Sequence, residues 1–262
     1  MGWHKVHMFR LTAFLSSACL ISAAYSQEAP KHSLRILAVG DPPPFVQQVR
    51  EGIRYEVAPP PEMIPPRNLV LPAPTKDNKI EKPEPLSTRL RLSQISPPMV
   101  MTMPESKEVT LRTDTGSAWL NIPLQQAPGT LAIVWRGEKD WTTARVITVP
   151  DDANANAPGN INFSNVTPFP IGVSFRGENI RLNPGMSYTR NIGQSGANPL
   201  EISYFTSTGA SKKFHSASIE GMQGVSSRIV IYHADGKNPR NPIKVLQLEE
   251  RAPQQPLTVT AR

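Results

Sequence analysis

The sequence predicts an all-β protein built from two tandem β-sandwich domains, and two observations carry this prediction. Short apolar runs separated by Gly, Pro, Asn and Asp recur along the chain, which is the pattern of strands joined by turns. No window beyond residue 26 shows the period of an amphipathic helix. The chain has 262 residues with 28 Pro and 16 Gly, a length that suits one large domain or two small ones.

The first 26 residues have the layout of a secretory signal peptide. Lys5 and Arg10 make the start basic, residues 11–24 are uncharged and mainly apolar, and small residues precede the expected cleavage before Gln27. The apolar run is shorter than the roughly 20 residues that span a bilayer, so a retained anchor is the weaker alternative. We expect export to the periplasm, the cell envelope or the extracellular space. Lipidation of Cys19 is a second minor alternative.

Cysteine content and charge exclude several classes of function. Cys19 is the only cysteine of the sequence and lies in the expected signal peptide, so the mature chain should form neither disulfides nor a cysteine-ligated zinc site. The formal net charge is +7, and the basic residues are spread along the chain without an arginine-rich block. This distribution argues against nucleic-acid binding and allows at most peripheral contact with an anionic membrane surface.

Predicted strands fall into two groups. Residues 30–104 contain more than half of the prolines and should form short strands joined by extended segments. Later β runs in the first half are predicted at 109–112, 118–122, 130–135 and 145–149. Those of the second half are predicted at 161–163, 171–175, 179–182, 200–205, 228–232 and 243–248.

An internal repeat divides the chain. Residues 42–60 align without a gap on 167–185, and residues 131–149 align on 228–248, with Trp135 falling on Tyr232. The first copy then carries about 28 extra residues, placed between 60 and 130. Chance alternation of strands is the alternative explanation, because few residues are identical.

The repeat sets the predicted domain boundaries. These are a signal peptide at 1–26, a first sandwich with a proline-rich insertion at 27–150, a polar linker at 151–159, a second sandwich at 160–250 and a disordered tail at 251–262. The linker is expected to be flexible.

The second copy carries a family resemblance. Residues 160–188, NINFSNVTPFPIGVSFRGENIRLNPGMSY, resemble bacterial secreted immunoglobulin-like domains of unknown function. The resemblance implies an immunoglobulin-like sandwich and no catalytic residues, because its motifs specify a fold rather than chemistry.

Motifs for catalysis or metal binding are not found in the sequence. The segment around Ser195 is a Gly/Ser turn rather than a nucleophile elbow, and His233 sits at a predicted hairpin turn without a second histidine nearby. Residues 152–156 imitate the start of a calcium loop but lack its glycine and its final glutamate. We predict a protein that is not an enzyme and has no cofactor and no metal.

Two surfaces are candidates for partner binding. Met99, Met101 and Met103 alternate along an extended segment that could add to a sheet edge, although the same spacing also suits side chains that face their own core. Trp141 lies in a predicted loop, where an exposed ring could stack on a ligand.

The favoured function is a non-catalytic secreted or envelope protein that binds an envelope or extracellular protein or glycan. Two alternatives stay open. One is a periplasmic assembly chaperone of two immunoglobulin-like domains, for which the sequence shows no pair of anchoring basic residues. The other is a carbohydrate-binding module or a β-sandwich hydrolase, for which it shows no convincing pair of acids.

Overall fold

The computed structural model describes residues 30–72, 84–138, 140–193, 196–205, 208–235 and 239–251. Within these ranges the protein is all-β, with single turns of 3-10 helix at Pro61–Met63 and Trp141–Thr143, so the predicted all-β class is confirmed. The expected signal peptide, residues 73–83 of the proline-rich stretch and the tail beyond Arg251 lie outside the described residues.

Eighteen strands follow one another along the described chain. In order they are β1 (Lys31–Val39), β2 (Val46–Arg50), β3 (Ile53–Val57), β4 (Asn68–Leu71), β5 (Leu86–Arg89), β6 (Met99–Thr102), β7 (Glu108–Thr113), β8 (Ala118–Pro123), β9 (Gly129–Trp135), β10 (Arg145–Pro150), β11 (Asn160–Asn165), β12 (Ile171–Phe175), β13 (Glu178–Leu182), β14 (Ser187–Asn191), β15 (Ala197–Phe205), β16 (Ser211–Glu220), β17 (Val225–His233) and β18 (Ile243–Arg251).

The first body consists of two four-stranded sheets that enclose one core. Sheet I has the order β10-β9-β1-β6 and sheet II the order β5-β4-β7-β8. Alternate residues of each strand point inward, because side chains alternate across a pleated strand. Leu34 and Ile36 of sheet I therefore meet Leu69 and Leu111 of sheet II in a buried cluster that also contains Trp141.

The second body has the same construction. Sheet III has the order β14-β11-β17-β18 and sheet IV the order β13-β12-β15-β16. Phe163 of sheet III and Phe175 of sheet IV meet edge to face in the core, with their ring centroids 5.6 Å apart. This arrangement is one that aromatic pairs favour, because the positive ring edge lies on the negative ring face.

The two bodies correspond strand by strand. The central pair is parallel in both, with Leu37 of β1 opposite Ile133 of β9 and Ser164 of β11 opposite Val230 of β17. The remaining strands of each body occupy matching places in the two sheet orders. Trp135 of β9 and Tyr232 of β17, which the alignment of residues 131–149 with 228–248 equates, both pack against one buried cluster that joins the two bodies.

The hairpin formed by β2 and β3 has no counterpart among the described residues of the second body. There, β11 leads through a short connection to β12, whereas β2 and β3 intervene between β1 and β4. The extra residues of the first copy were predicted after residue 60, and this placement is wrong for the hairpin. Residues 42–60 mimic the hairpin of β12 and β13 in sequence, but in the sheets that place is taken by β4 and β5.

The bodies pack together through the outer faces of sheets I and III. Leu37, Leu131 and Ile133 from sheet I contact Val230 of sheet III, and all four are buried. Sheet I is thus covered on both faces, which explains why β9 is an uninterrupted apolar run rather than an alternating one.

An ion network closes the same interface. Asp151 accepts hydrogen bonds from Arg35 of β1 at 2.6 Å and from Arg228 of β17 at 2.6 Å, and its side chain is 1% exposed. Glu250 accepts from the same two guanidinium groups, and Asn156 donates to Asp151 at 2.9 Å. Residues 151–159 were expected to be a flexible linker, but Asp151 and Asn156 hold this segment against both bodies.

The pKa of Asp151 reflects this network. Burial of the carboxyl group raises its pKa, because the charged form loses water. Hydrogen bonds from Arg35 and Asn156, together with the charges of Arg35 and Arg228, outweigh burial and hold the pKa below its usual value. Asp151 is therefore charged in the folded protein at neutral pH.

Candidate binding site at the free hairpin

The hairpin of β2 and β3 is the most exposed element of the described structure. Every residue of both strands is exposed, and the two strands pair with each other but with no other described strand. Phe45, just before β2, is 68% exposed. A two-stranded hairpin is only marginally stable on its own in water.

One face of the hairpin is apolar. Directly opposite residues of paired strands share a face, and so do alternate residues along each strand. One face therefore carries three opposite pairs, which are Val46 with Val57, Gln48 with Tyr55, and Arg50 with Ile53. Val46, Ile53, Tyr55 and Val57 are large hydrophobic residues left open to solvent. The opposite face carries Gln47, Val49, Arg54 and Glu56. The apolar face is defined here as the side that carries Val46, Ile53, Tyr55 and Val57.

A tight turn fixes the register of these faces. Glu51 and Gly52 connect the strands with φ angles of 54° and 80°. Two consecutive left-handed residues are the requirement of a type I′ turn, whose twist matches that of paired strands. Arg176 and Gly177 form the equivalent turn between β12 and β13, with φ angles of 51° and 81°. The two hairpins therefore share their turn as well as their length.

The N-terminal root of the hairpin is fastened to the second body. Asp41 accepts hydrogen bonds from Lys244 Nζ at 2.8 Å, from Tyr232 Oη at 3.3 Å and from the backbone N–H of Asp235 at 3.1 Å. The backbone N–H of Asp41 donates in return to the Asp235 carboxylate. Burial, followed by the charge of Asp41, raises the pKa of Tyr232 to about 12, so the phenol stays protonated and remains a donor.

The C-terminal root is held near the same place. Met63 lies in the 3-10 turn that follows β3, and its sulfur accepts a weak hydrogen bond from Arg136 Nη1 at 3.7 Å. Arg136 also forms an ion pair with Asp235 at 3.0 Å. Both roots therefore meet residues at the junction of the two bodies, and this junction anchors the hairpin.

A pocket of about 600 Å³ lies beside these roots. Residues of both bodies line it, among them Trp135, Arg136, Arg145, Tyr232, His233 and Asp235. Clefts between domains are common ligand sites, because each body supplies one wall.

The charged groups of the pocket largely satisfy one another. Arg136 pairs with Asp235, and Arg145 pairs with Glu138 at 3.2 Å. The Thr167 hydroxyl lies 2.8 Å from Asn165 Oδ1 and 2.9 Å from the carbonyl oxygen of Phe169, so it too has acceptors within the protein. The cleft is lined by paired charged groups and apolar side chains, and these lining residues do not include a nucleophile placed beside a base.

Histidines and acidic groups do not converge elsewhere in the described residues. No group of three or more His, Cys, Asp or Glu side chains among them is placed to hold a metal ion. His32 is buried in β1 with its Nε2 2.8 Å from the Thr130 hydroxyl, and burial lowers its pKa. His215 lies in β16 of the second body.

The predicted methionine segment faces the core of the first body. Met99 is 3% exposed in β6, and Met101 and Met103 pack against the same buried cluster. Their alternation is that of a strand with one face turned inward. The structure places these side chains as the core explanation of their spacing predicts, and we propose no binding role for them.

Trp141 needs a correction. The sequence suggested an exposed ring in a loop, but Trp141 is 2% exposed and belongs to the core of the first body. It begins a single 3-10 turn capped by Asp140, whose carboxylate accepts from the Thr142 N–H, and this turn directs the indole inward. Its backbone oxygen accepts a hydrogen bond from Trp119 Nε1 at 2.8 Å. A buried ring cannot stack on a ligand.

The sequence analysis aligned residues 42–60 on 167–185 but predicted neither this hairpin nor the site. The signal available in the sequence is composition. Prolines at 42–44 and 59–61 flank the hairpin and cannot donate to a sheet ladder, so they isolate it from neighbouring strands.

Comparisons with known proteins leave the family open. No family model matches the chain, and no curated protein matches its sequence. Among solved structures, an NMR structure of a protein from Eubacterium rectale is similar, with 17% identity, a TM-score of 0.23, and 42% of this chain and 99% of that chain covered. In the described ranges, no helix has the length and apolar character needed to cross a membrane.

Proposed function

We propose that this protein is a non-catalytic binding protein of the cell envelope or extracellular space, and that it contacts a protein partner through the apolar face of the hairpin. One observation carries the proposal. Four large hydrophobic side chains stand in solvent on a hairpin that pairs with no other described strand. Exposed apolar patches of this kind mark interaction sites in soluble proteins.

The anchoring of the hairpin supports a binding role. Asp41 and Met63 fix the two roots, so the apolar face has a defined direction although the strands lack sheet neighbours. A preorganised surface loses less conformational entropy on binding than a free loop does. Export follows from the N-terminal sequence and is part of the proposal.

The fold proposed for the two bodies is a pair of immunoglobulin-like domains produced by duplication. Equal strand order in the paired sheets and equal turns in two hairpins support this proposal. An assembly chaperone is less favoured. Arg136 and Arg145 do line the pocket between the bodies, but each is already paired with a carboxylate.

Ile53→Asp tests the proposed surface. Ile53 is 57% exposed, so the change should leave the fold intact, yet it places a charge on the apolar face of the hairpin. We expect capture of the partner from an envelope fraction to weaken about tenfold or more.

Val100→Asp is the matched control. Val100 is 52% exposed and lies in β6, the strand that contains Met99 and Met101, so Val100→Asp introduces the same charge at an exposed position away from the hairpin. Capture should be unchanged. Loss of capture by Val100→Asp, with Ile53→Asp unaffected, would move the binding site to β6 and refute the proposal.

A further inference from the structure

The outer edge of β3 has a sequence that is complementary to itself. Ile53, Arg54, Tyr55, Glu56 and Val57 read apolar, basic, aromatic, acidic, apolar. In an antiparallel pair of two such strands centred on Tyr55, each Arg54 lies opposite a Glu56 and each Ile53 lies opposite a Val57. Opposite charges in directly facing positions stabilise a strand pair, whereas like charges destabilise it.

The backbone of β3 supports the same register. In a hairpin closed by a two-residue turn, the residues next to the turn, here Arg50 and Ile53, form a hydrogen-bonded pair, and such pairs alternate along the strands. Ile53, Tyr55 and Val57 thus direct their backbone groups toward β2. Arg54 and Glu56 direct their N–H and C=O groups to the free edge, where Arg54 of one copy can bond Glu56 of another.

Other registers along this edge are unfavourable. A shift of the centre from Tyr55 to Arg54 or to Glu56 places two like charges directly opposite each other. The outer edge of β2 lacks the pattern, because centring it on Gln48 sets Val46 against Arg50 and Gln47 against Val49. Prolines from residue 59 onward limit the ladder to the length of β3.

We infer that two copies of this chain associate through β3, forming a four-stranded sheet in the order β2-β3-β3-β2 about a two-fold axis at Tyr55. Such an interface is isologous, since each copy contributes the same strand edge. This inference goes beyond the proposed function, because it uses the edge of the hairpin and leaves the apolar face open. The face would then be continuous across both copies. The contact is small, so we expect a weak, concentration-dependent dimer.

A cysteine at the two-fold axis tests the register. Directly opposite residues in a non-hydrogen-bonded antiparallel pair have Cα atoms about 4.5 Å apart, within the range of about 4.4–6.8 Å that a disulfide needs. In a Cys19→Ser background, purified Tyr55→Cys protein should oxidise to a disulfide-linked dimer. Gln48→Cys, on the inner neighbour of Tyr55, is the matched control and should oxidise much more slowly. Equal rates would overturn the inference.

Charge reversal tests complementarity without a covalent bond. Arg54→Glu and Glu56→Arg each place like charges opposite one another, so each variant alone should dimerise about tenfold or more weakly than the unaltered protein in sedimentation equilibrium. A mixture of the two variants pairs acidic strands with basic ones and should regain the dimer. Circular dichroism should show that both variants remain folded.

Three sedimentation results would overturn the inference. They are an unaltered protein that stays monomeric up to about 1 mM, single variants as dimeric as the unaltered protein, and a mixture that stays monomeric. None of these measurements uses the envelope partner, so their failure is distinct from failure of the proposed function.

Discussion

Asp151→Ala should destabilise the protein by about 3–5 kcal/mol, because it removes the carboxylate that the buried Arg228 shares with the partly buried Arg35. The Arg228 side chain is 3% exposed and would keep its charge with only Glu250 as a counter-ion. Arg35 would depend on the same Glu250. A buried charge without its partner costs several kcal/mol, since water cannot reach it. The free energy of unfolding, taken from urea denaturation, measures the effect.

Glu138→Ala is the control for this loss. Glu138 also pairs with an arginine, Arg145, but both side chains of that pair are largely exposed. Exposed ion pairs contribute about 0–1 kcal/mol, so this variant should unfold close to the unaltered protein. If Asp151→Ala lowered the free energy of unfolding by the same small amount, the ion network would not stabilise the packing of the two bodies.

Trp141→Ala should destabilise the protein by about 3–5 kcal/mol, the loss typical of removing a large buried ring. The indole fills the core between sheets I and II, and its removal leaves a cavity that the surrounding strands cannot close. Chemical denaturation measures the loss. The exposed Phe45 serves as the control, and Phe45→Ala should change stability by about 0.5 kcal/mol or less.

This prediction separates the two interpretations of Trp141. An exposed stacking residue would leave stability unchanged on replacement and would lower partner capture instead. For Trp141→Phe we expect lower stability and unchanged capture of the partner, because the indole packs in the core of the first body.

The sequence predicts strands well where they are local and alternating. The strands β12 and β13 follow from the apolar runs at 171–175 and 179–182 and the turn residues between them, whereas the spacing of the methionines left a core and an interface role open. Tertiary partners do not follow from spacing. Arg35, Asp151 and Arg228 are far apart in the sequence, and a polar run such as residues 151–159 looks like a linker until its partners are known.

Whether a side chain in a loop is buried cannot be predicted from sequence periodicity either. Trp141 lies in a single 3-10 turn, too short for any period to show which way its ring points. The packing of sheet I against sheet III does leave a trace in the sequence, since residues 131–135 of β9 and 229–232 of β17 are continuous apolar runs. Such runs indicate strands covered on both faces, and this signal could have revealed the interface.

Site-specific photo-cross-linking at the hairpin tests the central claim most directly. A photoreactive amino acid replaces Ile53 on the apolar face, and in a second variant it replaces Lys212, an exposed residue of β16 in the second body. Both proteins are produced in cells of the source organism and irradiated. The account predicts a cross-linked product at Ile53 whose mass differs from that of two copies of this chain, and none at Lys212. Absence of a product at Ile53, or the same products at both positions, would contradict it.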